Sequence, residues 1–158
     1  MMLRRACIDD LPGIMGIEDG CFGAERFSPI TIQAFLVRED TFVAVAEIEN
    51  RIVGAAMCMH SKCMGEGRIA SVAVLPEFRG QGLGGELLDQ CEKEFRLLGL
   101  TKFTLEVETI NAPAVDLYIS RGYAVRGIIK NYYSEGRDAY LMEKTSPMKG
   151  KRFRIKLS

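Results

Sequence analysis

Seven residues, Arg79-Gly80-Gln81-Gly82-Leu83-Gly84-Gly85, carry the clearest chemistry in this sequence. Four of the seven are glycine, and an amphipathic run follows at once. Glycine leaves no Cβ between main chain and ligand, and the first N–H groups of a helix point outward with the positive end of its dipole. An anion fits there, and a run this long suits a pyrophosphate. Arg79 adds a guanidinium that can fork onto phosphate oxygens. Residues 80–85 also spell G-x-G-x-x-G, but five residues, L-P-E-F-R, separate Val74 from Gly80, and no GK[ST] closes the run. A dinucleotide site needs its first glycine directly after a strand in a βαβ unit. Hydride transfer and nucleotide hydrolysis are therefore disfavoured. An ordinary flexible turn would not need so many glycines beside so strong a helix.

The elements that must position this loop follow from periodicity. Met2 to Ala6 reads as a first strand, and Asp9 or Asp10 as the cap of a helix with Leu11, Ile14 and Ile17 on one stripe. Ile30 to Val37 makes a second, shorter helix. Thr41–Ile48 and Arg51–Met59 are β-rich runs joined at Glu49-Asn50, a hairpin, and Ile69–Leu75 is a third strand ending at Pro76. From Leu83 the apolar positions Leu87, Leu88, Cys91, Phe95 and Leu98 form one helical face that Gly99 stops. Lys102–Glu108 alternates as a strand, placing Thr104, Glu106 and Glu108 on one face and Leu105 and Val107 on the other. Asn111 caps a helix with Pro113 in its first turn, Gly122 ends it, and two strands close the domain near Tyr123–Ile129 and Asp138–Met142. The order β-α-α-β-β-β-α-β-α-β-β predicts an α+β fold with a mixed, mostly antiparallel central sheet flanked by helices.

Composition narrows the class further. At 158 residues with 47% apolar and 27% charged content, the chain fits one soluble domain with a real core. No apolar run approaches the roughly 20 residues of a membrane span and no signal pattern opens the chain, so a cytoplasmic location without membrane contact is expected. Five cysteines (Cys7, Cys21, Cys58, Cys63, Cys91) with no CxxC pair argue against a disulfide framework. Cys58, His60 and Cys63 lack a fourth ligand nearby, so no metal is expected. Net charge is zero but uneven: the last fourteen residues hold five basic side chains and no acid, leaving the body at −5. That basic end reads first as a solvated tail or an edge strand, R-F-R-I-K-L, and second as a contact for an acidic partner or the ribosome. Specific nucleic-acid binding is not expected, because no stacking motif accompanies the charges.

The stretch V-A-V-L-P-E-F-R-G-Q-G-L-G resembles the acyl-CoA loop of the GNAT acetyltransferases, with Arg79, Gly82 and Gly84 filling its signature places. L-E-V-E-T-I-N-A-P-A-V-D-L-Y-I-S-R-G-Y and N-Y-Y-S-E-G-R-D-A-Y-L-M resemble two further motifs, those of the ribosomal-protein-alanine and protein N-terminal acetyltransferase branch. The resemblance spans roughly residues 2–144. It implies that acetyl-CoA is co-substrate and that its pyrophosphate lies on Arg79, Gly80, Gln81, Gly82, Leu83, Gly84 and Gly85. It also implies main-chain pairing of the pantetheine arm with Val72, Ala73 and Val74, and a hydrogen bond from Asn111 to that arm. Glu106 is implied as general base and Tyr118 as the acid that protonates the leaving thiolate and touches the cofactor. Glu25, Tyr132 and Tyr133 are candidates for gripping the acceptor backbone.

Chemistry agrees with that assignment. An α-amine of pKa about 7.7–8.0 is neutral in roughly one molecule in ten at pH 7, whereas lysine near 10.4 almost never is. A modest base therefore suffices for a protein N-terminus. Taken without the motifs, Glu106 reads as a solvated strand residue, Tyr118 as core packing and Asn111 as a helix cap. Glu108 and Ile110 depart from the branch's pattern, and a second carboxylate at 108 is expected to raise the pKa of Glu106 or reshape the mouth. The reading is an N-acetyltransferase domain at 1–145 with a basic tail at 146–158. It would transfer acetyl to a protein or peptide N-terminus by direct attack in a ternary complex. Transfer to lysine, polyamine or antibiotic amines, and a CoA-binding module without turnover, are the alternatives.

Overall fold

The central strands are buried on both faces, and successive side chains go to two separate helical layers on opposite sides of one sheet. The computed structural model describes residues 1–147. Seven strands, β1 (Met2–Arg5), β2 (Thr41–Ile48), β3 (Arg51–Ser61), β4 (Glu66–Val74), β5 (Lys102–Glu108), β6 (Ala124–Ser134) and β7 (Arg137–Thr145), stand in the order β1-β2-β3-β4-β5-β7-β6. Every neighbouring pair is antiparallel except β4 and β5. Four helices complete the domain: α1 (Leu11–Cys21), α2 (Pro29–Val37), α3 (Leu83–Leu97) and α4 (Ala112–Ser120). The element order is the one expected from periodicity.

On one face Ile14, Ile17 and Ile32 of α1 and α2 pack against Val43, Val45, Ala55 and Met57. On the other, Leu83, Leu87, Leu88, Cys91 and Phe95 of α3 meet Phe42, Ala44, Phe103 and Leu105. Each fully buried side chain of this size stabilises the fold by about 1.5–3 kcal/mol. The β2–β3 turn puts Glu49 at φ +50° and Asn50 at φ +63°, the left-handed pair that a two-residue hairpin needs.

Three local details differ from the sequence reading. Asp10 does not cap α1 with its side chain; its carboxylate accepts the Cys7 N–H at 2.8 Å and pairs with Arg4 at 2.8 Å. The strand expected from Ile69 begins at Glu66, which brings Arg68 into the sheet. The closing hairpin is longer than expected, so Tyr132 and Tyr133 lie on a strand. Asn131 at φ +54° interrupts the β6–β7 register there, and polar residues on both sides hid the continuation.

A buried carboxylate joins the layers behind α4. Glu92 is 2% exposed and accepts from Tyr123 Oη at 3.1 Å, Lys144 Nζ at 2.7 Å and Arg96 Nη2 at 3.0 Å. Such a charge is tolerable only because its partners satisfy it. The chain beyond β7 remains attached through Ser146, whose N–H bonds Thr101 O at 2.6 Å. The rest of the basic tail, from residue 148, lies outside the described residues.

Candidate active site

The parallel ladder is short. β4 and β5 pair only over Glu66–Ile69 and Lys102–Leu105, after which β4 runs on from Ala70 to Val74 without a β5 partner. β3 still holds the other edge of that segment through Ala56↔Val72, Ala55↔Ala73 and Gly54↔Val74. The sheet therefore carries a slot whose near wall is the free edge of residues 70–74, where an extended arm can add main-chain hydrogen bonds as a strand would. One end of that edge is already engaged: Val74 O accepts from Arg79 Nε at 2.9 Å and from Cys21 Sγ at 3.5 Å. Arg79, expected to fork onto phosphate, thus spends its Nε on shaping the turn out of β4.

The slot leads to the glycine loop. A 3-10 turn at Pro76–Phe78 carries the chain to Gly80 and Gly82, which adopt φ +78° and +83°. A Cβ built at either position would meet nothing within 4 Å, so the space before the loop is open. Gly82 is the N-cap of α3 and has no side chain to cap with. The first intrahelical bond is Glu86 N–H to Gly82 O at 3.1 Å, which leaves the N–H groups of Leu83, Gly84 and Gly85 without an intrahelical partner. These donors and the helix dipole fit a diphosphate. The last glycine has a second reason: a Cβ on Gly85 would run into the Arg121 guanidinium, whereas one on Gly84 would make only ordinary contact with Leu117 at 3.6 Å. Gln81 and Arg79 flank the same entrance.

Glu106 and Tyr118 approach the slot from opposite faces. Glu106 sits at the polar end of a cavity of about 340 Å³ on the α1–α2 face. Phe27, Phe35, Met59 and Ala70 wall it, and Tyr132 and Tyr133 form its rim. Its carboxylate is engaged: Arg68 Nε and Nη2 lie 3.1 Å from Glu106 Oε2, and Arg68 Nη2 also donates to Tyr132 Oη at 3.0 Å. Tyr118 packs instead into the cluster under α3, edge-on to Tyr123 with ring centroids 6.1 Å apart. The Glu92 network fixes Tyr123, so it also fixes the wall against which Tyr118 rests. Burial pushes the Tyr118 phenol up to about 12, and no hydrogen bond contributes to that shift. Tyr133 is likewise pushed up to about 12, by burial and then by the nearby Tyr132, Glu106, Glu108 and Tyr118.

Asn111 caps α4 as its residue type and position predict, its Oδ1 accepting the Ala114 N–H at 3.3 Å, so only its amide NH₂ is free for a ligand. Glu25 is not a free grip. Its carboxylate is bound by Arg137, which also donates to Glu108 Oε1 at 2.8 Å and lies 5.4 Å from the Tyr133 ring centre. The Arg137 hydrogen bonds hold Glu25 and Glu108 below the usual carboxylate range. Glu108, expected to act on Glu106, therefore has its own counter-ion. Sequence reasoning missed Arg68, Arg137, Phe27, Phe35 and Met59. Their common signal is three-dimensional: they come from five separate elements and loops that meet only at the mouth. Among the described residues no group of three His, Cys, Asp or Glu is placed to hold a metal, and Cys58 is buried in the core. Among them, too, no helix is long and apolar enough to cross a membrane.

Comparison with known proteins gives this geometry a family. Residues 11–123 match the family described as Acetyltransferase (GNAT) family. An N-alpha-acetyltransferase of Saccharolobus solfataricus is 35% identical over 151 residues, covering 89% of this chain and 90% of that protein. The crystal structure of the ribosomal-protein-S18-alanine N-acetyltransferase from Escherichia coli superposes with a TM-score of 0.85 at 26% identity, covering 96% of this chain and 97% of the other. An N-acetyltransferase of Thermoplasma acidophilum in complex with coenzyme A shares the fold at a TM-score of 0.75 and 18% identity, over 91% of this chain and 98% of that one. A match that takes in the glycine loop, α3 and α4 together leaves one reading of the split sheet: the chain belongs to the GNAT acetyltransferase family.

Proposed function

We propose that this protein transfers the acetyl group of acetyl-CoA to the α-amino group of a protein or peptide. The observation that carries the proposal is the slot between β4 and β5, with a phosphate-competent helix N-terminus at one end and Glu106 at the lip of an acceptor-sized cavity. The 35% identical relative is named an N-alpha-acetyltransferase, and the Escherichia coli structure is named for the alanine of a ribosomal protein. Both names support an N-terminal acceptor.

Each residue then has a task. Leu83, Gly84 and Gly85 N–H groups bind the diphosphate, and the free edge of β4 at Val72 aligns the arm, the main-chain groups of Ala73 facing β3 instead. The bound thioester supplies an activated acyl carbon. Glu106 takes a proton from the acceptor ammonium, directly or through water, so that nitrogen forms the new C–N bond as the C–S bond breaks. Tyr118, kept protonated by burial, delivers a proton to the departing sulfur, and the second proton shed by the acylated nitrogen restores the phenol. The phenylalanine-walled cavity receives the acceptor's first residue and excludes water from the amine.

The test is mass spectrometry of a peptide library incubated with acetyl-CoA, each peptide supplied with a free and a blocked N-terminus. Acetylation confined to free N-termini is the expected result. Transfer that persists on N-blocked, lysine-containing peptides overturns the α-amine assignment, and CoA binding without any transfer overturns the enzymatic one.

A further inference from the structure

Arg68 has no role in the scheme above, yet its guanidinium lies against the catalytic carboxylate. It is the one cation lining the Glu106 cavity among the described residues. The other walls are phenylalanine, methionine and alanine, the rim is phenolic, and the guanidinium's anionic partner is Glu106 itself. The remaining carboxylates of the mouth, Glu25 and Glu108, are both held by Arg137.

This arrangement balances only while Glu106 is ionised. Once Glu106 has taken the acceptor's proton, the Arg68 side chain, 37% exposed, is left beside a neutral acid. An uncompensated cation in a largely apolar cavity is unfavourable. Arg68 already presents Nε and Nη2 together toward a carboxylate oxygen, the fork suited to carboxylate recognition. We propose that Arg68 is a specificity residue which reads an acidic side chain within the first two residues of the acceptor. The incoming ammonium replaces the guanidinium on Glu106, and the guanidinium turns to the acceptor's carboxylate. The cavity then holds two cations and two anions before proton transfer, and one of each after it.

The inference rests on the α-amine reading, and the experiment separates the two. Acetylation would be followed for four peptides with otherwise identical sequences, beginning Asp-Ala, Asn-Ala, Ala-Asp and Ala-Asn, by wild type, Arg68→Gln and Arg68→Lys. Wild type is expected to favour the better acidic peptide over its amide counterpart by roughly tenfold or more in kcat/KM. That ratio should shrink as salt is raised. Arg68→Gln should level the ratio, and Arg68→Lys should retain part of it. A merely structural Arg68 would slow all four peptides alike and leave the ratio unchanged, which would overturn the proposal. Equal rates on acidic and amide peptides by wild type would overturn it while the function stands. No transfer to any of the four free amines would remove the functional reading and this inference with it.

Discussion

The carboxylate of Glu18, on a side chain that is 3% exposed, accepts the main-chain N–H of Phe27 at 2.9 Å. One buried acid in α1 thus fixes the loop whose phenylalanine walls the cavity beside Glu106. Burial pushes the Glu18 carboxyl above its ordinary 4.5. The folded state therefore holds that proton more tightly than the unfolded chain does. The resulting stability is fully present below the unfolded value and is lost as pH rises through the folded one. Glu18→Gln keeps the acceptor oxygen and removes the charge. It should be more stable relative to wild type at pH 8 than at pH 5, by urea unfolding. Glu18→Ala strands the Phe27 N–H, costs about 1–3 kcal/mol, more at low pH than at high, and raises the acceptor KM.

Tyr118 stays protonated across the whole assay range, because burial pushes its phenol up to about 12, as the proposed acid requires. Tyr118→Phe should lower kcat by about 10²–10⁴-fold and leave the KM for acetyl-CoA within about twofold. Thermal stability should hardly change, since no hydrogen bond is lost and the ring keeps its edge-on contact with Tyr123. An alkaline fall in rate below pH 10 must come from another group. Undiminished kcat in the variant would remove Tyr118 from the reaction.

Arg137 ties the loop bearing Glu25 to the end of β5 at Glu108, over the Tyr133 face. Its hydrogen bonds lower both carboxyl pKa values, so their contribution to stability is present above the unfolded value and fades as pH falls through the folded ones. Arg137→Gln should raise the acceptor KM severalfold with kcat little changed, and should flatten the stability profile on the acid side of the ordinary carboxylate value of 4.5. An unchanged acceptor KM would show that the bridge is a surface ion pair without a part in acceptor binding.

Legibility in the sequence followed the range of the forces involved. Helix α3 was readable because its stripe, its glycine stop and the loop before it all act within neighbouring turns. Strand β5 was readable by alternation, and so was the face that carries Glu106. The mouth was not. Arg68 stands in the part of β4 that looked like turn, and its partner Glu106 is 38 positions away on another strand. Glu18 sits in a helix whose polar residues ordinarily face water, and only the returning chain at Phe27 explains its burial. Tyr132 and Tyr133 were named as candidates from the motif, but their strand was hidden by the irregular register at Asn131. Gly85 reads in sequence as part of the phosphate loop alone, and only the distant Arg121 guanidinium reveals that its Cβ position is crowded.

The loop assignment is testable at Gly82, where two effects of a side chain can be separated. Its φ of +83° means that valine there costs about 1–2 kcal/mol of backbone strain, even though the space around a Cβ is open. A loss of acetyl-CoA affinity in Gly82→Val therefore mixes strain with obstruction. Asparagine tolerates the left-handed region far better and stands at the N-cap of α3, where its side-chain oxygen can accept the N–H of Gly84 or Gly85. Gly82→Asn should fold at least as stably as wild type, because it caps a helix that has no cap. It should nevertheless raise the KM for acetyl-CoA by roughly tenfold, because the donors that would hold the diphosphate are occupied. Acceptor KM should stay within about twofold, since the acceptor cavity is on the far side of the slot. A capped, well-folded Gly82→Asn with unaltered acetyl-CoA kinetics would place the diphosphate elsewhere.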